Sequence, residues 1–198
     1  MTDALSLVER KQEAARGRIE RAAAELFDER GFDGVSVSDI AERAEVGRTT
    51  FFRHFTDKQE VVFARERAIL DSLTVDALGP VPSGRRSASD AVRALQPVVL
   101  EICARVSEDA EEYRRHERLV RDNVVLQGRS AAKAQVVAGR LRSLLVDAGW
   151  DDEVASFAGQ IAVACYATAQ AASPAPEAVV AATRAAFEQA LALGTEAR

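Results

Sequence analysis

Roughly one residue in five is alanine, the strongest helix former, while proline and glycine number only 5 and 11 among 198 residues. That balance nearly excludes an all-β chain. Apolar positions recur at helical spacing along most of the sequence, so the expected class is all-α. With 47% hydrophobic and 29% charged residues, the composition is globular, and the length suits one domain or a small module joined to a larger one.

The first sustained period, Ile19, Ala22, Ala23, Leu26 and Phe27, stops at Gly31, a natural C-terminal cap. Residues 1–15 before it read as a flexible polar arm. Ser36 with Asp39 three positions on predicts the capped start of a short helix from Val37 to about Ala44. After the turn Glu45-Val46-Gly47, a third helix is expected from Arg48 to about Thr56, with Phe51 and Phe55 on one face. Asp57 then caps a fourth helix carrying Val61 to Leu73 toward Leu78, and Gly79, Pro80, Pro82, Ser83 and Gly84 break it. Further helices are expected at about 89–107 with a kink at Pro97, 109–125, 131–148, 151–172 and 177–193, with Pro174 and Pro176 separating the last two. The domains implied are 16–60 and 61–198.

A short helix, a tight turn and a second short helix behind a supporting helix form the helix-turn-helix arrangement, whose second short helix enters the DNA major groove. The window Val46–Thr56 contains no acid but holds Arg48, Arg53, His54, Thr49, Thr50 and Thr56. Positions 48, 49, 52 and 53 share one helical face while 51 and 55 point the other way, so one side offers groove chemistry and the other core.

Over about residues 18–63 the sequence resembles the N-terminal DNA-binding unit of the TetR family of transcriptional regulators. The resemblance is carried by Ile19, Ala22–Ala23, Leu26–Phe27, Gly31–Phe32, the run from Val35 to Ala41, the run from Val46 to Phe55, and Lys58. It implies an all-α chain with a three-helix N-terminal unit and a larger C-terminal helical bundle. It also implies that Arg48, Thr49 and Thr50 approach base edges while Ser36, His54 and Lys58 grip phosphates. The chemistry agrees: Arg donates two hydrogen bonds to guanine, and a threonine methyl can touch thymine. Two departures stand out. Gly47 replaces the family's usual serine before the third helix, a weaker cap. Phe52 replaces its usual tyrosine, so Phe52 offers apolar contact only and Arg53 is the candidate to supply the missing phosphate contact. His54 is alternatively an ordinary polar residue closing the helix. Arg10, Lys11, Arg16, Arg18 and Arg21 give the first stretch five cations, either solvated or reaching DNA.

The larger half carries no catalytic set: His116 is its only histidine, and it has no glycine-rich phosphate loop. No enzyme, metal or cofactor is expected, although a helical enzyme would survive as an alternative if a cofactor sat in the bundle. The last two helices are the expected homodimer face, combining Ala155, Gly159, Ala162, Ala169, Ala182 and Ala186 with Tyr166, Phe187 and Leu191. A pocket for a small apolar effector is expected among Gln96, Leu100, Cys103, His116, Val120, Phe157, Ile161 and Cys165. The uncharged stretch Val154–Pro176 is long enough to span a bilayer, but its alanines and polar residues give too little apolar drive, so no membrane is expected. Cys103 and Cys165 are too few for a disulfide scaffold, and the chain opens with no apolar leader, which points to the cytoplasm. Operator DNA is the expected partner, bound by a ligand-responsive repressor; a regulator without a small effector is the alternative. The first 60 residues hold 10 basic and 13 acidic residues, net −3, so specificity must rest on a few placed cations rather than on overall charge.

Overall fold

A computed structural model of the protein describes residues 7–80, 86–172 and 175–193. Among these, ten α-helices and one 3-10 turn make up the regular structure. Val81 to Arg85 lie outside the described residues, and with them Pro82, Ser83 and Gly84 of the expected break; so does Pro174. The chain divides into two compact units, one up to Arg65 and one from Glu66 on.

The first unit is built on α1 (Leu7–Arg30), which buries Ala15, Ile19, Ala22, Ala23, Leu26 and Phe27 along one stripe. It begins at Leu7, so residues 7–15 are helix rather than arm. Leu, Val, Glu, Arg, Lys, Gln and Ala there are nearly all strong helix formers, and propagating an existing helix costs far less than nucleating one. Gly31, at φ 70°, ends α1, its amide bonding Phe27 O at 3.0 Å. The helix α2 (Val37–Arg43) starts at Ser36 with a complete capping box: the Ser36 hydroxyl accepts from the Asp39 amide, and the Asp39 carboxylate accepts from the Ser36 amide. The helix α3 (Arg48–His54) follows, then α4 (Lys58–Val62), capped by Asp57 accepting from the Glu60 amide.

The single long fourth helix expected after Asp57 is divided. Phe63 is buried, and its amide bonds Glu60 O at 3.2 Å, closing α4 in a tighter turn before α5 (Ala64–Asp71) begins. A 3-10 turn (Val75–Ala77) completes the segment. Neither glycine nor proline marks that division.

In the second unit α6 (Ala88–Val106) carries Pro97 and buries nine residues, among them Leu95, Val98 and Cys103. Around it lie α7 (Ala110–Asp122), α8 (Val124–Asp147), α9 (Asp152–Ala172) and α10 (Val179–Ala192). The start of α8 precedes the expected residue 131 because Asn123 accepts from the amides of Val125 and Leu126 and caps the helix there. Leu141, Leu144, Leu145, Trp150, Ala158 and Phe187 form the centre of the core. A Cβ added at Gly159 would lie 2.7 Å from the Ala138 carbonyl oxygen, so glycine is what lets α9 approach the α8 backbone. No helix among the described residues is long and apolar enough to cross a membrane.

Candidate nucleic-acid interface and a cavity in the second unit

The face of α3 is set by its buried side. Phe51 and Phe55 are 0% and 2% exposed, with ring centroids 5.8 Å apart, and they anchor the helix against α1. Arg16 of α1 lies over the Phe55 ring at 5.1 Å. Pointing the other way, Arg48, Thr49 and Arg53 are exposed, Phe52 is 48% exposed, and Thr50 is partly buried. The Arg48 guanidinium lies 5.9 Å from the Phe52 ring centroid, so the arginine is partly ordered by its own helix neighbour.

The turn before α3 is a Schellman closure. Val46 N bonds Ala41 O at 2.9 Å and Glu45 N bonds Glu42 O at 3.0 Å, which places Glu45 at φ 53°, in the left-handed region that glycine usually fills. Several side chains hold α2 and the turn to α1. Arg43 pairs with Glu25 and Glu29 at 3.2 and 3.0 Å, and Arg18 donates to Ala44 O at 3.1 Å. The acids of the unit are thereby drawn onto α1 and α2: Arg30 pairs with Asp39, and Arg16 with Glu20. Among the described residues none of these ion pairs consumes Arg48 or Arg53.

Three of the residues expected on phosphates sit differently. Lys58 Nζ donates to Phe32 O at 2.7 Å and Val35 O at 2.8 Å and lies 4.3 Å from the Phe32 ring centroid, so its charge is turned into the chain's own turn. The Ser36 hydroxyl is exposed but engaged in the capping box, where hydrogen bonds donated by that hydroxyl and by the Ser36 amide hold the Asp39 carboxyl below the usual range. His54 is partly buried and its Nε2 has no hydrogen-bond partner among the described residues; burial, then the charges of Arg16 and Arg53, hold the imidazole toward its neutral form. Of the five cations before Ile19 and just after it, Arg10, Arg18 and Arg21 line a shallow groove on α1 together with Glu13.

The second unit holds a partly open cavity of about 420 Å³. Of the eight residues expected around a pocket, His116 and Val120 line it and the rest do not. Leu100, Cys103 and Cys165 are spent on the core, Phe157 is 55% exposed, and Gln96 and Ile161 are partly buried elsewhere. Cys103 Sγ lies 3.5 Å from Thr183 Oγ1, and burial pushes both cysteine thiols up, which disfavours the reactive thiolate. The polar end of the cavity is instead formed by residues far apart in sequence. Glu66 on α5 accepts from His116 Nε2 at 2.9 Å and from Lys133 Nζ at 2.5 Å. Burial alone would raise the Glu66 carboxyl, but the hydrogen bond from His116 and the positive charges beside it outweigh that and hold it at about 2. Next to them Gln170 Nε2 donates to Glu117 Oε1 at 2.9 Å and to the Tyr166 hydroxyl at 2.8 Å.

The small residues expected on a dimer face divide in the same way. Ala155, Gly159, Ala162, Ala169 and Phe187 are buried in the chain's own core, leaving the opposite sides of α9 and α10 exposed.

This three-helix unit with a polar, acid-free outer face on its third helix defines a helix-turn-helix protein. Residues 19–64 match the family model described as bacterial regulatory proteins, tetR family. The chain is similar to the HTH-type transcriptional regulator TcmR of Streptomyces glaucescens, 40% identical over 80 residues, covering 38% of this chain and 35% of that protein. A regulator of Staphylococcus aureus strain RF122 is 44% identical over 48 residues, covering 24% of this chain and 26% of its own length. The chain thus matches about a third or less of the length of these curated relatives. Two solved structures share the fold at 20% identity: SmeT in its triclosan complex, TM-score 0.57 over 91% of both chains, and a protein described as a TetR-family regulator from Mesorhizobium loti, TM-score 0.52 over 92% of this chain and 97% of that one.

Proposed function

We propose that this chain is a sequence-specific DNA-binding transcriptional regulator that acts in the cytoplasm as a homodimer on a palindromic operator. The observation that carries the reading is the exposed face of α3, where Arg48, Thr49, Phe52 and Arg53 stand clear of acids on a helix pinned by Phe51 and Phe55. Arg48 reads a guanine, Thr49 and Thr50 contact neighbouring bases, and Arg53 takes a phosphate, replacing the hydroxyl that Phe52 lacks. Ser36 and His54 approach the backbone. Lys58 positions the turn beneath them rather than gripping phosphate.

Two chains related by a twofold axis would bring two such helices to successive half-sites. The exposed sides of α9 and α10, including Phe157, are the proposed contact. A small, largely apolar effector in the cavity of the second unit lowers DNA affinity, so the regulator represses until the effector arrives. One neighbour in fold, SmeT, is described in complex with triclosan, which is in keeping with a molecule of that kind. No catalytic activity is proposed.

The test is fluorescence anisotropy of labelled DNA taken from upstream of the chain's own gene and its neighbours, read over a range of salt. A salt-sensitive preference for one palindromic fragment supports the reading, and equal weak binding to every fragment removes it.

A further inference from the structure

The charges at the cavity's polar end are unevenly matched. Two carboxylates, Glu66 and Glu117, line it with a single ammonium, Lys133, and an imidazole, His116. Glu66 takes both: its two oxygens accept from His116 Nε2 and from Lys133 Nζ. Glu117 is left with one hydrogen bond, from the Gln170 amide at 2.9 Å, and no cation within ion-pair distance among the described residues. The surrounding wall is aliphatic, with Leu70, Val99, Ile102, Val137 and Val163 facing the same space. In such surroundings burial is the largest influence and pushes the Glu117 carboxyl up; the Glu66 charge adds to it, and the more distant positive charges of His116 and Arg121 offset it only in part.

A carboxyl in this position discriminates strongly by ligand charge. An anion would meet two carboxylates, and its natural partners, Lys133 and His116, are already engaged with Glu66. A neutral apolar molecule gains from the walls but leaves Glu117 with its single bond. A cation would complete Glu117 as an ion pair in an environment where charge–charge attraction is poorly screened, and its charge would also favour the Tyr166 ring beside Gln170. The volume of about 420 Å³ lies within the range of roughly 300 to 1,000 Å³ typical of sites for drug-sized molecules.

We infer that the cavity selects an apolar molecule bearing a protonated nitrogen, held by the Glu117 carboxylate. This rests on the proposal that the second unit binds an effector, and adds the chemical class of that effector.

Three tricyclic probes of similar size separate the two claims: aminoacridine, cationic at neutral pH; acridine, neutral; and anthracenecarboxylate, anionic. Binding of each to the full chain without DNA is followed by probe fluorescence and calorimetry. Aminoacridine is expected to bind about tenfold or more tighter than acridine, and anthracenecarboxylate weakest. Glu117→Gln should bring aminoacridine down to the affinity of acridine while leaving acridine itself nearly unchanged, and Glu117→Asp should keep the preference for the cation. If Glu117→Gln does not fold, the order of the three probes on the unaltered chain decides. Acridine binding as well as aminoacridine, or anthracenecarboxylate binding best, overturns the charge selectivity and leaves the effector site standing. Failure of all three to bind overturns both.

Discussion

Lys58 donates a 2.7 Å hydrogen bond to the carbonyl oxygen of Phe32 while its ammonium lies 4.3 Å from the Phe32 ring centroid. A second bond to Val35 O makes this one lysine the latch of the turn between α1 and α2. Replacing Lys58 by methionine keeps the aliphatic stem but leaves two carbonyls without donors. We expect a loss of roughly 1.5 to 3 kcal/mol in urea unfolding, the usual range for hydrogen bonds to a charged group. A lysine reserved for phosphate would behave differently: stability would hold, and the salt dependence of DNA binding would flatten by about one unit.

Glu45 stands at φ 53° in the Schellman turn between α2 and α3. A side chain there crowds the following carbonyl at a cost of about 1 to 2 kcal/mol, partly offset by the greater freedom glycine has when unfolded. Glu45→Gly is therefore expected to raise stability by up to about 1 kcal/mol, in contrast to glycine in a helix interior, which lowers it by a similar amount. A denaturant midpoint that falls in the variant would mean that the glutamate side chain is itself holding the turn.

The local devices of the first unit were readable in the sequence because their partners lie three or four residues apart. The Ser36–Asp39 box, the Asp57 cap and the Phe51–Phe55 pair all have this form, and each forms where expected. What escaped depends on residues distant in the chain. Lys58 reaches carbonyls 26 and 23 residues away. The cavity's polar end joins Glu66 to Lys133, 67 positions on; His116 stands out in the sequence only as the single histidine of its half, and Tyr166 only as a bulky residue of the expected dimer face. The cysteines and leucine assigned to the pocket had the right character for a lining, but the same character suits a core, and periodicity cannot tell the two apart.

Ionisation of Glu66 couples the second unit to acid. Its carboxyl is held at about 2, below the ordinary 4.5, so folding favours the charged form. That stabilisation is complete above about pH 4.5 and is lost progressively as the pH falls toward 2. Chemical denaturation of the parent chain and of Glu66→Gln should show a stability gap at neutral pH that narrows on acidification through this window. A gap that stays constant or widens in acid would mean that the ion pair with Lys133 and His116 contributes nothing to folding.

Charged substitutions at Ala162 or Phe187, both 0% exposed, would disrupt the core before they reported on assembly. Phe157, 55% exposed on α9, is the better probe of the proposed dimer. Phe157→Lys should yield a folded monomer in sedimentation with its helical content preserved, because a large apolar side chain at an interface centre is replaced by a charge. A folded dimer would place the contact away from this part of α9.

Recognition by α3 is tested most directly at Arg48. Binding of the parent chain and Arg48→Ala is measured on an operator fragment and on fragments carrying every single base change within a half-site. The variant is expected to lose discrimination at one position per half-site, by on the order of 1 to 3 kcal/mol, and to keep it elsewhere. A uniform weakening on all fragments, with each base preference intact, would contradict this and make Arg48 a phosphate contact.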